Sequence, residues 1–427
     1  MDINLQIPII KKTYNKSLRP ENPFHFRSKK ICKKLLNDPS FITFGCWNKN
    51  MCNIKSGYNK VSLVMNKIDE LCESTYPKPS FIVVAGDNYY PDIKIDTLKT
   101  PSKIKTINEI ELKSGFDCLL DIYEKHKIPI DLVAGNHDLV NTEKGYTINT
   151  IDGLTTTDKC FITNKELELA HFPINSLSLC NYRLFGKGNH TLIIMIDSNF
   201  YNENNVYKLK DCYINLLEKT IINFKNDNFL KQTLRVIRRE FSNIDNNLEN
   251  ESIDKQSATN EIIDLLEQFQ NRCLQIIYKK INRSKIKNVV LIAHHPLAYF
   301  KTKNQKTPPS FKTATDRYIQ LCFNIYTQFY DDTQFYYNSG DLHLYQKSKI
   351  KLIFNQKEIN IKQYIAGTGG NDLDTIVPVS SKTNLTTKLD NDIEIYYNME
   401  ETKELNGFLY WIENITYKKL YVKFITI

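Results

Sequence analysis

No stretch of the 427-residue sequence reaches the roughly 18 apolar residues that a membrane-spanning helix needs. The opening run, MDINLQIPIIKK, is apolar only briefly before it meets lysines, so neither a signal peptide nor a membrane anchor is expected there. Ten cysteines occur without one CxxC pair, and their spacings suit neither a zinc ribbon nor a disulfide framework; most are expected to be reduced core residues. The net charge of +9 does not by itself indicate nucleic acid, because the basic residues are dispersed among 48 acidic ones. It favours anionic partners in general and only weakly supports nucleic acid as one of them. These absences lead to the expectation of a chain that stays inside a cell, either cytoplasmic or a viral protein in its host. The wealth of Asn, Ile, Lys and Tyr reads as the bias of an AT-rich genome.

What is present is core material. Hydrophobic residues make up 41% of the chain and aromatic residues 11%, enough for a large interior, and an α/β fold with insertions reaches this length as one unit. Phe81 to Ala85 is an apolar run that stops at Gly86-Asp87-Asn88, which reads as a buried strand whose terminal glycine lets the chain turn and present a carboxylate. Asp-Asn after a strand is ordinary turn chemistry when it occurs once. Here the construction recurs: Ile130 to Ala134 ends in Gly135-Asn136-His137-Asp138, Val289 to Ala293 in His294-His295-Pro296, and Phe335 to Tyr337 leads to Gly340-Asp341-Leu342-His343. Open α/β sheets place their sites at the carboxyl ends of strands, so four such exits can converge on one cluster of oxygen and nitrogen donors, as a dinuclear metal centre requires.

The ordered set GDNYY, GNHD, AHHP and GDLH resembles the GDxxY, GNHD, GHxP and GHxH blocks of the calcineurin-like metallophosphoesterases. Tyr90 makes it most similar to the small purple acid (tartrate-resistant acid) phosphatases. The resemblance runs from about Ser40 to the C-terminus, taking in TFGCWN, LIIMIDSN, YIAGTGGN and a closing strand pair from GFLYWIE to YVKFITI. It implies two mixed β-sheets packed face to face with flanking helices, an α/β/β/α sandwich, and hydrolysis of phosphate monoesters by a metal-bound hydroxide. The implied cofactors are two metal ions, Fe(III) with Fe(II), Zn or Mn. The implied substrate is a phosphorylated small molecule or a phosphoprotein.

Carried over residue by residue, the resemblance makes Asp87 the carboxylate bridging both metals and Tyr90 the phenolate on Fe(III). Asn136 and His294 become ligands of the divalent ion, His343 a ligand of the ferric one, and His137 the histidine that contacts substrate. His295 is available to substrate or as a partner behind the ligands. Two positions depart from the family pattern. Cys46 stands where the family has its first aspartate, and Asp341 where it has the first histidine of GHxH; both side chains can still coordinate a metal. A protein that keeps the phosphatase fold for its surface, and a phosphodiesterase or nuclease, are the other readings that these residues allow.

Residues 1–40 carry nine Lys or Arg and read as a basic extension ahead of a domain spanning 41–427. Between about 202 and 287 lies a largely helical insertion. Ile262, Leu265, Leu266, Phe269, Cys273, Ile276 and Ile277 form one helical stripe expected to pack on the core, with Ser257 and Thr259 as caps. SNIDNNLENESIDKQSATN, residues 242–260, reads as a loop without periodicity. Gly407 to Ile412 and Leu420 to Ile425 are expected to form a hairpin.

Overall fold

The structure, a computed structural model, describes residues 38–427 apart from 50, 55–58, 74–77, 97–101, 144–145, 154–155, 171–173, 176, 302–309, 371, 375–383 and 391. Most of the basic extension proposed for residues 1–40 therefore lies outside the described residues.

In chain order the first strands are β1 (Ser40–Phe44), β2 (Pro79–Ala85), β3 (Asp92–Asp96), β4 (Ser102–Asn108), β5 (Ile130–Val133), β6 (Tyr146–Asn149), β7 (Ile174–Asn175), β8 (Cys180–Phe185) and β9 (Thr191–Ile196). They are followed by β10 (Asn288–Ile292), β11 (Ala298–Lys301), β12 (Ser310–Thr313), β13 (Gln334–Ser339), β14 (Tyr345–Phe354), β15 (Lys357–Ala366), β16 (Asn384–Lys388), β17 (Glu394–Lys403), β18 (Gly407–Asn414) and β19 (Lys419–Thr426). The helices are α1 (Lys60–Glu73), α2 (Glu109–His126), α3 (Phe161–Leu169), α4 (Asn199–Asn202), α5 (Lys210–Asn223), α6 (Asn228–Glu249), α7 (Lys255–Lys280) and α8 (Asp316–Tyr326).

Two large mixed sheets dominate. One has the order β19-β18-β1-β2-β5-β7, the other β16-β17-β14-β15-β13-β10-β9-β8. The runs that lead to the ligand-type residues, in β2, β5, β10 and β13, lie inside these sheets and pair in parallel at their centres, β2 with β1 and β5, and β10 with both β9 and β13. The expected hairpin forms: β18 and β19 pair antiparallel from Gly407↔Thr426 to Asn414↔Lys419.

The sheets meet face to face through one layer of side chains, because alternate residues of each strand point to the same side. Phe41, Phe81, Val83, Trp411 and Phe424 from the first sheet close on Ile193, Met195, Val290, Tyr336, Tyr345 and Tyr364 from the second. Phe41 is stacked between Phe81 at 4.8 Å and Trp411 at 5.3 Å, and it meets the edge of Phe185 from the opposite sheet. The Trp411 indole N–H donates to Thr43 Oγ1 at 2.9 Å, so its one polar atom is satisfied. The outer faces are covered by helices, as an α/β sandwich requires. On the second sheet α8 packs through Tyr326 against Phe335 and Phe323 against Phe354.

The region from 202 to 287 is helical, as expected, and its stripe packs on the core. Ile262, Leu266, Phe269, Cys273 and Ile277 are buried, and α7 contacts α6 and β8. Two local expectations are corrected. Asn and Ser richness at 242–260 does not make a loop: α6 continues to Glu249 and α7 starts at Lys255. The reason is the apolar pattern of α6, Leu230, Leu234, Ile237, Phe241 and Ile244, which keeps the helical period into the Asn-rich run. The cap of α7 is Asp254, whose carboxylate accepts from the Ser257 N–H at 2.7 Å; Ser257 and Thr259 lie within the helix.

Most of the described cysteines are free and buried, as expected, but four of them pair. Cys52–Cys118 and Cys160–Cys212 are disulfides, while Cys46, Cys72, Cys180, Cys273 and Cys322 are free and buried. Pairs separated by 66 and 52 residues leave no local spacing signature, since folding alone brings them together. Disulfides persist in oxidising surroundings. Among the described residues no helix is long and apolar enough to cross a membrane.

Candidate metal centre

Five strand exits meet at one end of the sandwich. β1 leads to Gly45-Cys46, β2 to Gly86-Asp87, β5 to Gly135-Asn136-His137, β10 to His294-His295, and β13 to Gly340-Asp341-Leu342-His343. Glycine is needed because the turns touch. A Cβ on Gly86 would lie 2.5 Å from His294 Nδ1, and one on Gly340 would lie 2.4 Å from the Ala85 carbonyl oxygen. The turns also hold one another: Cys46 N–H donates to Gly86 O, and the N–H groups of Gly340 and Asp341 both donate to His294 O. Cys46 and Asp87 adopt φ of 51° and 53°. Such left-handed backbone is uncommon outside glycine and concentrates at functional sites.

Asp87 lies between two groups of donor atoms, one on each carboxylate oxygen. Oδ2 accepts the Tyr90 hydroxyl and faces Cys46 Sγ at 3.6 Å. Tyr90 Oη in turn sits 3.0 Å from His343 Nε2. Oδ1 accepts the His137 backbone N–H at 3.0 Å and lies 3.3 Å from His294 Nε2. That nitrogen is also 2.9 Å from Asn136 Oδ1 and 3.7 Å from Asp341 Oδ1. Ligand atoms of Cys46, Asp87 and His343 lie within 4.8 Å of one another, and so do those of His294, His295 and Asp341. All seven residues expected to ligate metal, Cys46, Asp87, Tyr90, Asn136, His294, Asp341 and His343, are thus in one place. Asp341 falls on the His294 side and His343 on the Tyr90 side, with Leu342 between them buried in a small apolar cluster.

The chemistry of His294 tests whether these residues suit a cation. Its Nδ1 is 3.1 Å from the Ala85 carbonyl, which only accepts, so Nδ1 carries a proton. In the neutral ring Nε2 then has only a lone pair, turned toward three oxygens that are themselves acceptors. A proton on Nε2 relieves one of these contacts, whereas a metal ion relieves all of them. The carbonyl behind the ring is the kind of support that metal-bound histidines use to fix their tautomer.

Charges at the site follow the same geometry. Burial would raise the Asp87 carboxyl, but His294, His137 and the Tyr90 hydroxyl outweigh it and bring it down to about 2. His294 is shifted upward: burial opposes its charge, and Asp87 and Asp341 more than offset that. Burial, reinforced by Asp87, pushes both the Cys46 thiol and the Tyr90 phenol well up, so each keeps its proton until a cation displaces it. The Cys46 thiol donates to the Gly340 carbonyl.

The two histidines expected to act on substrate lie on either side. The His137 ring packs on Tyr90 with centroids 4.5 Å apart, and burial lowers its pKa. His295 is held from three directions. Its Nδ1 and its backbone N–H are each 3.0 Å from Ser198 Oγ, and its carbonyl accepts the Tyr337 hydroxyl at 2.6 Å. Burial brings its pKa down to about 4.

Some of the machinery was not singled out from sequence. Asp138, wholly buried, accepts from Asn88 N–H, Asn88 Nδ2 and Gly135 N–H, each at 2.7 Å, and so ties the Asp87 turn to the Asn136 turn. Burial and the nearby Asp87 raise its carboxyl to about 7, and burial raises its neighbour Glu166 well above the usual range. Ser198 is the other omission. Its only local signal is its place at the exit of β9, in a motif that offers no metal ligand at that position. No family model, curated protein or solved structure matches this chain.

Proposed function

We propose that the chain is a binuclear-metal phosphoesterase of the calcineurin-like metallophosphoesterase superfamily, most similar to the small purple acid phosphatases, acting on phosphate monoesters of a small molecule or a phosphoprotein. One observation carries the reading: the two oxygens of the buried Asp87 carboxylate serve two separate groups of donors, as a ligand shared by two ions must. Cys46, Tyr90 and His343 would hold one ion, for which an anionic thiolate and phenolate suit Fe(III). Asn136, His294 and Asp341 would hold a divalent ion such as Fe(II), Zn or Mn. Two bound cations would supply polarisation of the phosphate ester and acidification of water, so that no serine or cysteine nucleophile is required.

The chain's own groups then orient the ester. His137, partly exposed beside Asp87 and Tyr90, is placed to donate a hydrogen bond or a proton to phosphate oxygen. Glycines at the strand exits let the backbone approach closely, and Asp138 keeps two of the turns together.

A second reading is a phosphatase fold kept for its surface, favoured by the Cys46 thiol donating to Gly340 O, since a thiol so engaged is protonated. One measurement separates them. Metal content of the purified chain, taken with hydrolysis of an aryl phosphate, should give two ions per chain and turnover that chelators abolish. A chain that takes up no metal at any pH and leaves the ester intact would reject the enzyme.

A further inference from the structure

His295 has a better-defined environment than a residue waiting for substrate needs. One of its ring nitrogens is within 4.8 Å of a nitrogen of His294 and an oxygen of Asp341, and all three of these atoms are that close to one another. The rings of His294 and His295 are 5.0 Å apart and nearly perpendicular at 80°, so they do not stack; neighbouring imidazoles on one cation can adopt such an arrangement. Two donors each about 2.1 Å from a cation are about 3.0 Å apart at a right angle and about 4.2 Å apart when opposite. The separations around His294 Nε2, 2.9 Å to Asn136, 3.3 Å to Asp87 and 3.7 Å to Asp341, fall in or next to that range.

Building on the binuclear reading above, we propose that His295 is itself a ligand of the ion on the Asp341 side, through Nε2, and that Ser198 is the positioning residue that makes this possible. The site then offers two imidazoles, two carboxylates and one amide oxygen. That set suits Zn, Fe(II) or Co(II) better than Mg or Ca, which prefer oxygen alone.

Ser198 fits this role because its hydroxyl can serve either tautomer. Ser198 Oγ accepts the His295 backbone N–H, and its remaining lone pair and its own proton face His295 Nδ1. Without a cation the hydroxyl donates to Nδ1 and the ring proton rests on Nε2. With a cation on Nε2 the proton sits on Nδ1 and donates to Oγ, so Nδ1 and Oγ stay paired with each other in both states. Tyr337 holds the His295 backbone from the other side through its carbonyl.

Cobalt(II) titration of the metal-free chain tests this. A thiolate-to-cobalt charge-transfer band reports the Cys46 side, and calorimetry counts the ions. His295→Ala is expected to weaken one ion by about 100-fold and Ser198→Ala by about 10-fold, with the Cys46-side band unchanged in both. Thermal melting of the metal-free variants guards against a folding defect, and His295→Gln, a weaker donor of similar reach, should bind between parent and alanine. A His295→Ala chain that binds two cobalt ions as tightly as the parent while losing turnover would overturn the ligand assignment and leave the binuclear reading intact. A parent that binds no cobalt would overturn both.

Discussion

Gly135 stands so close to Asp87 that a single added methyl group would occupy the carboxylate's place: a Cβ there would lie 2.1 Å from Asp87 N and 2.2 Å from Asp87 Oδ1. Neither atom can retreat, because Asp87 is wholly buried at a turn braced by Asp138. Gly135→Ala should therefore lower stability by roughly 1–3 kcal/mol and displace Asp87. Denaturant unfolding reads the first effect and metal stoichiometry the second. A stable Gly135→Ala chain that still binds two ions would show that the Asp87 position is not constrained as described.

Asp87→Asn should remove both ions, because among the described residues its carboxylate is the one ligand that reaches both groups of donors. Elemental analysis of the variant beside the parent is sufficient. Loss of one ion with retention of the other would mean that Asp87 serves one site only.

Cys46→Asp puts a harder oxygen donor where a thiol now stands. If Cys46 is a ligand to a ferric ion, metal binding should persist and phosphate-ester turnover should rise. Asp341→His should act in the same direction at the other ion, by removing a negative charge that repels a phosphate dianion. Steady-state kinetics of the double variant decides: a double variant as inert as a metal-free parent would leave only the scaffold reading.

The metal-free protein should respond to pH in a defined direction. The Asp87 carboxyl is lowered from 3.8 to about 2, so its contribution to stability is present above 3.8 and is lost as pH falls toward 2. His294 is raised above 6.5, so its contribution is complete below 6.5 and disappears as pH rises through the raised value. Metal must displace the His294 proton, so ion uptake should strengthen over the same upward range in which the metal-free protein loses stability. Above about pH 7, His137 and His295, with their lowered pKa values, stay neutral folded or unfolded. Compared over that range, melting temperature of the metal-free protein and zinc affinity should move in opposite directions; parallel movement would contradict the pairing of His294 with Asp87 and Asp341.

The two disulfides should be found by mass spectrometry of the non-reduced protein, as Cys52–Cys118 and Cys160–Cys212. Each closes a long loop, and removing one by a Cys→Ser pair should cost about 2–4 kcal/mol. Fully alkylatable thiols in the native protein would refute them.

Local chemistry made the strand exits legible from sequence. An apolar run followed by glycine and a ligand-type residue is written in consecutive positions, and its consequence, a turn that presents a side chain, needs no distant partner. The helical stripe of α7 and the closing hairpin were readable for the same reason, each being a periodic pattern within a short window. Other features depended on parts of the chain far apart in sequence. Asp138 braces Asn88 across 50 residues, Ser198 meets His295 across 97, and the two disulfides span 66 and 52. Even the extent of α6 into its Asn-rich end follows from which side chains found a buried surface, not from their composition. Sequence by itself determined which donor types leave which strands. Only tertiary packing decided which atoms face one another, because distances of 3 to 4 Å between remote residues are set by how the two sheets and their turns pack.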